Sequence, residues 1–137
     1  MTNHKSILVD SSAWILSFRR SAPEPLKTLL REALDQGRVA THPFIILELL
    51  QGCKTEAEFA SLKTQLHSLD ICPEQESSWE QAYRFAFSLR RKGVTVPTID
   101  ILIALLAIEN NYLLLHHDRH FRLLAQHSDL DAIDFLE

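Results

Sequence analysis

Glycine is scarce in this chain: three residues in 137, with five prolines. So little punctuation leaves no linker, no internal repeat and no low-complexity tract, and residues 1–137 read as one domain. Cysteine is scarcer still. Cys53 and Cys72 lack any zinc-type spacing, which leaves two free, packed thiols suited to a reducing compartment. Long apolar runs are missing: the longest, Ile101 to Ile108, falls well short of the roughly 18–20 residues of a membrane span. The opening MTNHKSILVD is a poor secretory leader, because Asp10 interrupts its apolar stretch and no small-residue cleavage site follows. A cytoplasmic protein without a membrane association is therefore expected. Basic excess is missing too. The formal net charge is −4, so any nucleic-acid contact must rest on local patches or bound cations.

What the chain does have is apolar residues, 46 % of the total, enough for a proper core. Ile7-Leu8-Val9 reads as a buried parallel strand ending at Asp10, with a helix starting near Ser11 or Ser12. Leu26, Leu29, Leu30, Ala33 and Leu34 follow helical spacing between Pro25 and Gln36, with Gly37 as the stop. Arg38–Thr41 is a weak strand, and Pro43 opens an apolar helix from Phe44 to Leu50. Phe59, Leu62, Leu66 and Leu69 mark another helix, and Ile71-Cys72 a short strand. Trp79, Ala82, Tyr83, Ala86 and Phe87 form the face of the next helix, closed by Gly93. Thr98 suits the N-cap of a helix to Asn110 that is apolar almost all round. A strand at 112–115, a helix at 119–126 and an edge strand at 132–136 complete the chain. Strands alternating with helices predict an α/β protein, a mostly parallel sheet covered by helices on both faces. Sites in such sheets form at the carboxyl ends of strands and the amino ends of helices.

That rule selects carboxylates. Asp10 follows the first strand, and Asp118 follows Leu113-Leu114-Leu115 and opens a helix. Each alone also reads as a helix cap. Asp100 lies in the first turn of the apolar helix, on a face that continues as Ile103, Ala104, Ala107 and Ile108. Glu48 interrupts Ile45-Ile46-Leu47 and Leu49-Leu50; it lies either on one wet stripe or among apolar neighbours. Carboxylates crowded at one sheet edge repel, by about 4 kcal/mol per pair at 4 Å and an effective dielectric near 20. No Lys or Arg adjoins Asp10, Glu48 or Asp100 in sequence, so hard divalent cations, Mg²⁺ or Mn²⁺, are the natural compensation. Such ions acidify water and stabilise a leaving oxygen, which points to metal-assisted phosphoryl hydrolysis.

Four segments carry a further signal: ILVDSSAWI at 7–15, THPFIILELLQG at 41–52, PTIDILIALLAIENN at 97–111 and LLLHHDRHF at 113–121. In this order and spacing the chain resembles PIN-domain ribonucleases, specifically the VapC-type toxins of bacterial toxin–antitoxin pairs. The resemblance implies a three-layer α/β/α sandwich, a homodimer, and endonucleolytic cleavage of RNA with Mg²⁺ or Mn²⁺; the mechanism predicted is a metal-activated water attacking the phosphodiester in line, leaving 3′-hydroxyl and 5′-phosphate ends. It also implies a small antitoxin that covers the active site in a hetero-oligomer and carries any contact with operator DNA. Asp10, Glu48 and Asp100 match the family's metal-binding acids, Asp118 the fourth, and Ser12 a hydroxyl that supports them. There are departures. His120 stands where many relatives carry a second acid, and His116 where many carry threonine or serine.

His116, His117 and His120 match no standard zinc spacing and read as supporting or surface groups. Arg119 reads as a phosphate contact beside Asp118 or as an exposed side chain. Arg19-Arg20 and Arg90-Arg91-Lys92 read as solvated helix ends or phosphate contacts. Trp14, Phe18, Trp79, Phe85 and Phe87 suit the core or a dimer interface, and Asp70, Asp129, Asp131 and Asp134 suit the surface. An aspartyl phosphatase would want a second Asp where Ser12 stands, and a receiver domain a lysine after a late strand. The non-enzymatic alternative is a catalytically inactive PIN-like interaction module.

Overall fold

The computed structural model describes residues 5–136; the part of the leader reading that falls on residues 1–4 lies outside them. Ile7–Val9 forms strand β1, followed by helices α1 (Ser11–Ser17) and α2 (Glu24–Asp35). Strand β2 (Val39–Thr41) leads into α3 (Pro43–Gln51) and α4 (Glu56–His67), then β3 (Asp70–Ile71). Helices α5 (Ser78–Arg91) and α6 (Thr98–Glu109) precede β4 (Leu113–Leu115), α7 (Arg119–Gln126) and β5 (Ala132–Ile133).

The strands form one sheet in the order β3-β2-β1-β4-β5, and every described pairing is parallel. The expected sheet is therefore present and parallel throughout. From β1 the chain winds outward through β2 to β3, then crosses back to β4 on the other side of β1. Right-handed crossovers in opposite directions place their helices on opposite faces. The packing agrees: α3 touches α1 and α4, while α6 touches α5 and α7. This is a three-layer α/β/α sandwich whose winding reverses between β1 and β4, and the crevice above their carboxyl ends is where such a sheet opens a site.

Both layers follow from apolar patterning. Ile7, Leu8 and Val9 are almost completely buried, as a strand covered on both faces must be. Residues Ile101 through Ala107 are all buried, which makes α6 the core helix its composition predicts. Pro25 sits in the first turn of α2, and Gly37 takes φ +66°, the left-handed conformation that ends the helix.

Several expectations are corrected. Helix α1 starts at Ser11 as expected, but its N-cap is Asp10, in keeping with the cap reading of that residue, and not a serine. Pro97, not Thr98, occupies the N-cap place of α6; its extended ψ of 143° precedes the helix and its carbonyl accepts from the Ile101 N–H. On α5 the inward line is Ser78, Ala82 and Leu89, supported by Phe85 and Ala86. Trp79, Tyr83 and Phe87 are exposed. The face that packs against α6 is therefore rotated from the expected one. Leu69 lies beyond the end of α4, and β3 begins at Asp70 rather than Ile71, although the Cys72 N–H still donates to the Thr41 carbonyl. β5 is limited to Ala132–Ile133.

Candidate active site

Asp10 leaves the carboxyl end of β1 with its backbone N–H bonded to the Leu115 carbonyl, so β4 holds it in place. Its Oδ2 accepts from the Ser12 N–H at 3.0 Å and from the Ser12 hydroxyl at 2.6 Å. The cap reading of Asp10 is what the structure shows, and capping α1 is also what orients the carboxylate. The same Ser12 Oγ accepts from the His117 N–H at 2.9 Å, tying the β1–α1 turn to the β4–α7 turn.

Glu48 comes from the opposite side, on α3. His42 caps that helix, its Nδ1 accepting from the Phe44 N–H, and Pro43 fills the first turn. Ile45 and Leu49 anchor the inner face and leave Glu48 half-buried. Ser11 donates its hydroxyl to Glu48 Oε1 at 3.3 Å. Sequence reasoning does not select Ser11 for the site; the adjoining Ser11-Ser12 pair after Asp10 is the signal that points to it.

Asp100 lies in the first turn of α6, where the helix dipole favours an anion. Asp118 caps α7, its Oδ1 accepting from the His120 N–H at 2.9 Å. His120 Nδ1 lies 3.2 Å from Asp100 Oδ2 and 3.0 Å from Asp118 Oδ1. Asp100, Asp118 and His120 each offer a donor atom within 4.8 Å of the others, a spacing suited to one metal ion. From sequence, His120 is expected only as a supporting or surface group.

The other histidines of the segment diverge. His116 is buried, its Nδ1 accepting from the Asp118 N–H. His117 Nδ1 is 3.0 Å from Asp134 Oδ1. Asp134 is therefore no surface acid: it is buried and also accepts from the Leu136 N–H. Arg119 is exposed and lines a cleft of about 300 Å³ with His117, Asp118, Arg122 and Asp134.

Electrostatics record how tightly the acids gather. Burial raises the Asp10 carboxyl, Ser12's hydrogen bonds pull it back down, and Asp118 raises it again. Burial and then Asp10 raise Glu48, with Ser11 opposing them. Asp100 is pushed up to about 7, by burial first, then by Asp10 and Asp118, against a lowering from His120 and with a smaller push from Glu48. The acids thus act on one another from four separate elements or turns. Oxygen donors at this density fit a hard divalent cation, which would remove the repulsion that burial intensifies.

Comparison with known proteins identifies the family. The sequence model of the PIN domain family matches residues 7–126. A VapC ribonuclease of Mycobacterium bovis and the ribonuclease VapC11 of Mycobacterium tuberculosis are each 32 % identical over 136 residues, covering 94 % of this chain and 98 % of theirs. Among solved structures, a DNA-bound VapBC from Salmonella typhimurium matches with a TM-score of 0.76 at 19 % identity, over 95 % of this chain and 98 % of that one. VapBC2 from Rickettsia felis, bound to a promoter DNA fragment, also gives 0.76, at 17 % identity over 94 % and 98 %.

Proposed function

Because the chain belongs to the PIN-domain family, with VapC ribonucleases among its relatives, we propose that it is a metal-dependent endoribonuclease and the toxin of a toxin–antitoxin pair. The observation that carries the catalytic reading is the meeting of Asp10, Glu48, Asp100 and Asp118 at the β1/β4 crevice, where Asp118 raises the proton affinity of the other three and Asp10 that of Glu48 and Asp100. A fold kept only for binding has no need of mutually repelling acids gathered at one crevice.

Asp100 and Asp118, with Asp10 and Glu48 beside them, would hold Mg²⁺ or Mn²⁺. When bound, such an ion acidifies water and neutralises charge at the phosphodiester. The protein's own contribution is preorganisation. Ser12 fixes the Asp10 carboxylate, Ser11 steadies Glu48, and two helix caps set Asp10 and Asp118 before substrate arrives. Arg119 and Arg122, on the cleft beside Asp118, suit contacts to RNA phosphates.

The partners proposed are RNA, a cognate small antitoxin and a second copy of the chain, with operator DNA reached only through the antitoxin. Apolar surface for protein partners is present. Trp79, Tyr83 and Phe87 are exposed on α5, and Phe18 and Leu34 flank a cleft over Trp14 and Leu62.

The test uses purified protein and total bacterial RNA, with Mn²⁺ or EDTA. Discrete fragments with 5′-phosphate ends are expected with Mn²⁺ and not with EDTA. Asp10→Asn and Asp100→Asn should each lower the rate by about a hundredfold or more while the circular dichroism stays unchanged. Near-full activity in either variant would contradict the site assignment.

A further inference from the structure

His120 holds a position that the four acids alone do not explain. Its Nδ1 is sealed from solvent and is aimed at neither neighbouring oxygen well enough to make a hydrogen bond, although both lie within 3.2 Å. Asp118 Oδ1 already accepts from the backbone N–H of His120. Two oxygens from different elements therefore crowd one nitrogen without satisfying it.

The spacing has a chemical meaning. Donors at right angles around a small divalent ion, each about 2.1 Å from it, sit about 3.0 Å apart. The nitrogen–oxygen separations of 3.0 and 3.2 Å match that value. The placement is also built in. Asp118 caps α7, and Phe121 and Leu124 anchor the helix in the core, so the ring is held at the site by the fold itself.

We propose that His120 is a nitrogen ligand of the catalytic cation, a role that rests on the metal-dependent ribonuclease reading, and that it biases the site away from Mg²⁺ towards Mn²⁺ and later first-row ions. Magnesium binds hard oxygen donors and holds its water tenaciously, whereas imidazole is a better donor to transition ions along the Irving–Williams order. Replacing an oxygen donor by imidazole therefore costs Mg²⁺ more than Mn²⁺. The competing account is that a protonated His120 merely offsets the charge of Asp100 and Asp118.

Pulsed electron paramagnetic resonance on the metal-stripped full chain, reloaded with Mn²⁺ alone, separates the two, because imidazole nitrogen bound to Mn²⁺ modulates the spin echo. Wild type and His117→Ala should show ¹⁴N modulation. His120→Asp and His120→Gln should lose it while circular dichroism confirms the fold. Calorimetry with Mn²⁺ and with Mg²⁺ should show the preference for Mn²⁺ falling about tenfold or more in His120→Asp. Bound Mn²⁺ without nitrogen modulation in wild type, or modulation that survives both His120 variants, overturns the proposal and leaves the ribonuclease reading intact. Failure to bind Mn²⁺ at all overturns both.

Discussion

At Asp100, burial and neighbouring acids act in one direction. Burial and the carboxylates of Asp10 and Asp118 lift it from 3.8 to about 7, and His120 opposes them. A carboxyl whose pKa is higher in the folded chain binds its proton more tightly there than in the unfolded chain. Its contribution to stability is then complete below the ordinary carboxylate range and is lost as pH climbs towards about 7. Asp100→Asn removes that dependence. In thermal unfolding of metal-free protein, the variant's advantage over wild type should grow by a few degrees between about pH 5 and pH 8, and saturating Mn²⁺ should erase it. Parallel profiles would show that Asp100 is not under that strain. The acids themselves were legible in sequence because each stands where apolar periodicity makes a charge costly or where a strand ends. The engagement of His120 and Asp134 was not. Both depend on ring and carboxylate directions across the sheet edge, and nothing in local spacing encodes those.

Among the elements, the decisive contact is made by Ser12, whose hydroxyl bonds Asp10 on one side and the His117 N–H on the other. It joins the turns that follow the two central strands. Ser12→Ala removes the donor from Asp10 and strands a part-buried N–H, a cost of about 1–3 kcal/mol. The melting temperature should fall by about 5 °C or more. Mn²⁺ affinity should fall too, since Asp10 loses its orientation; unchanged affinity and melting would make the serine incidental. Most helices and strands could be read from sequence, since α2, α3 and α6 carry clear patterns and punctuation. The rotation of α5 could not. Its apolar residues fill two adjoining stripes, Ala82 with Ala86 and Trp79 with Tyr83 and Phe87. Which stripe turns inward is settled by packing against α6, a tertiary contact that local spacing does not encode.

For the whole molecule, strand order converts four weak local signals into one site. The order β3-β2-β1-β4-β5 reverses the winding at β1/β4, and Asp10 and Asp118 follow those two strands. Glu48 and Asp100 arrive from helices of the opposite layers. The sequence shows alternating strands and helices but not which strands adjoin, so the convergence of these acids is a property of topology. With a net charge of −4 the molecule does not attract RNA as a whole, and recognition must concentrate at the cation site and the arginines beside it. Cleavage of RNA at this crevice is tested most directly by inducible expression in a bacterium. Wild type is set beside Asp10→Asn at equal soluble abundance, and RNA 5′ ends are mapped after induction. Growth arrest and new discrete RNA ends are expected with wild type alone. Equal growth and identical ends from the two proteins would contradict cleavage at this site.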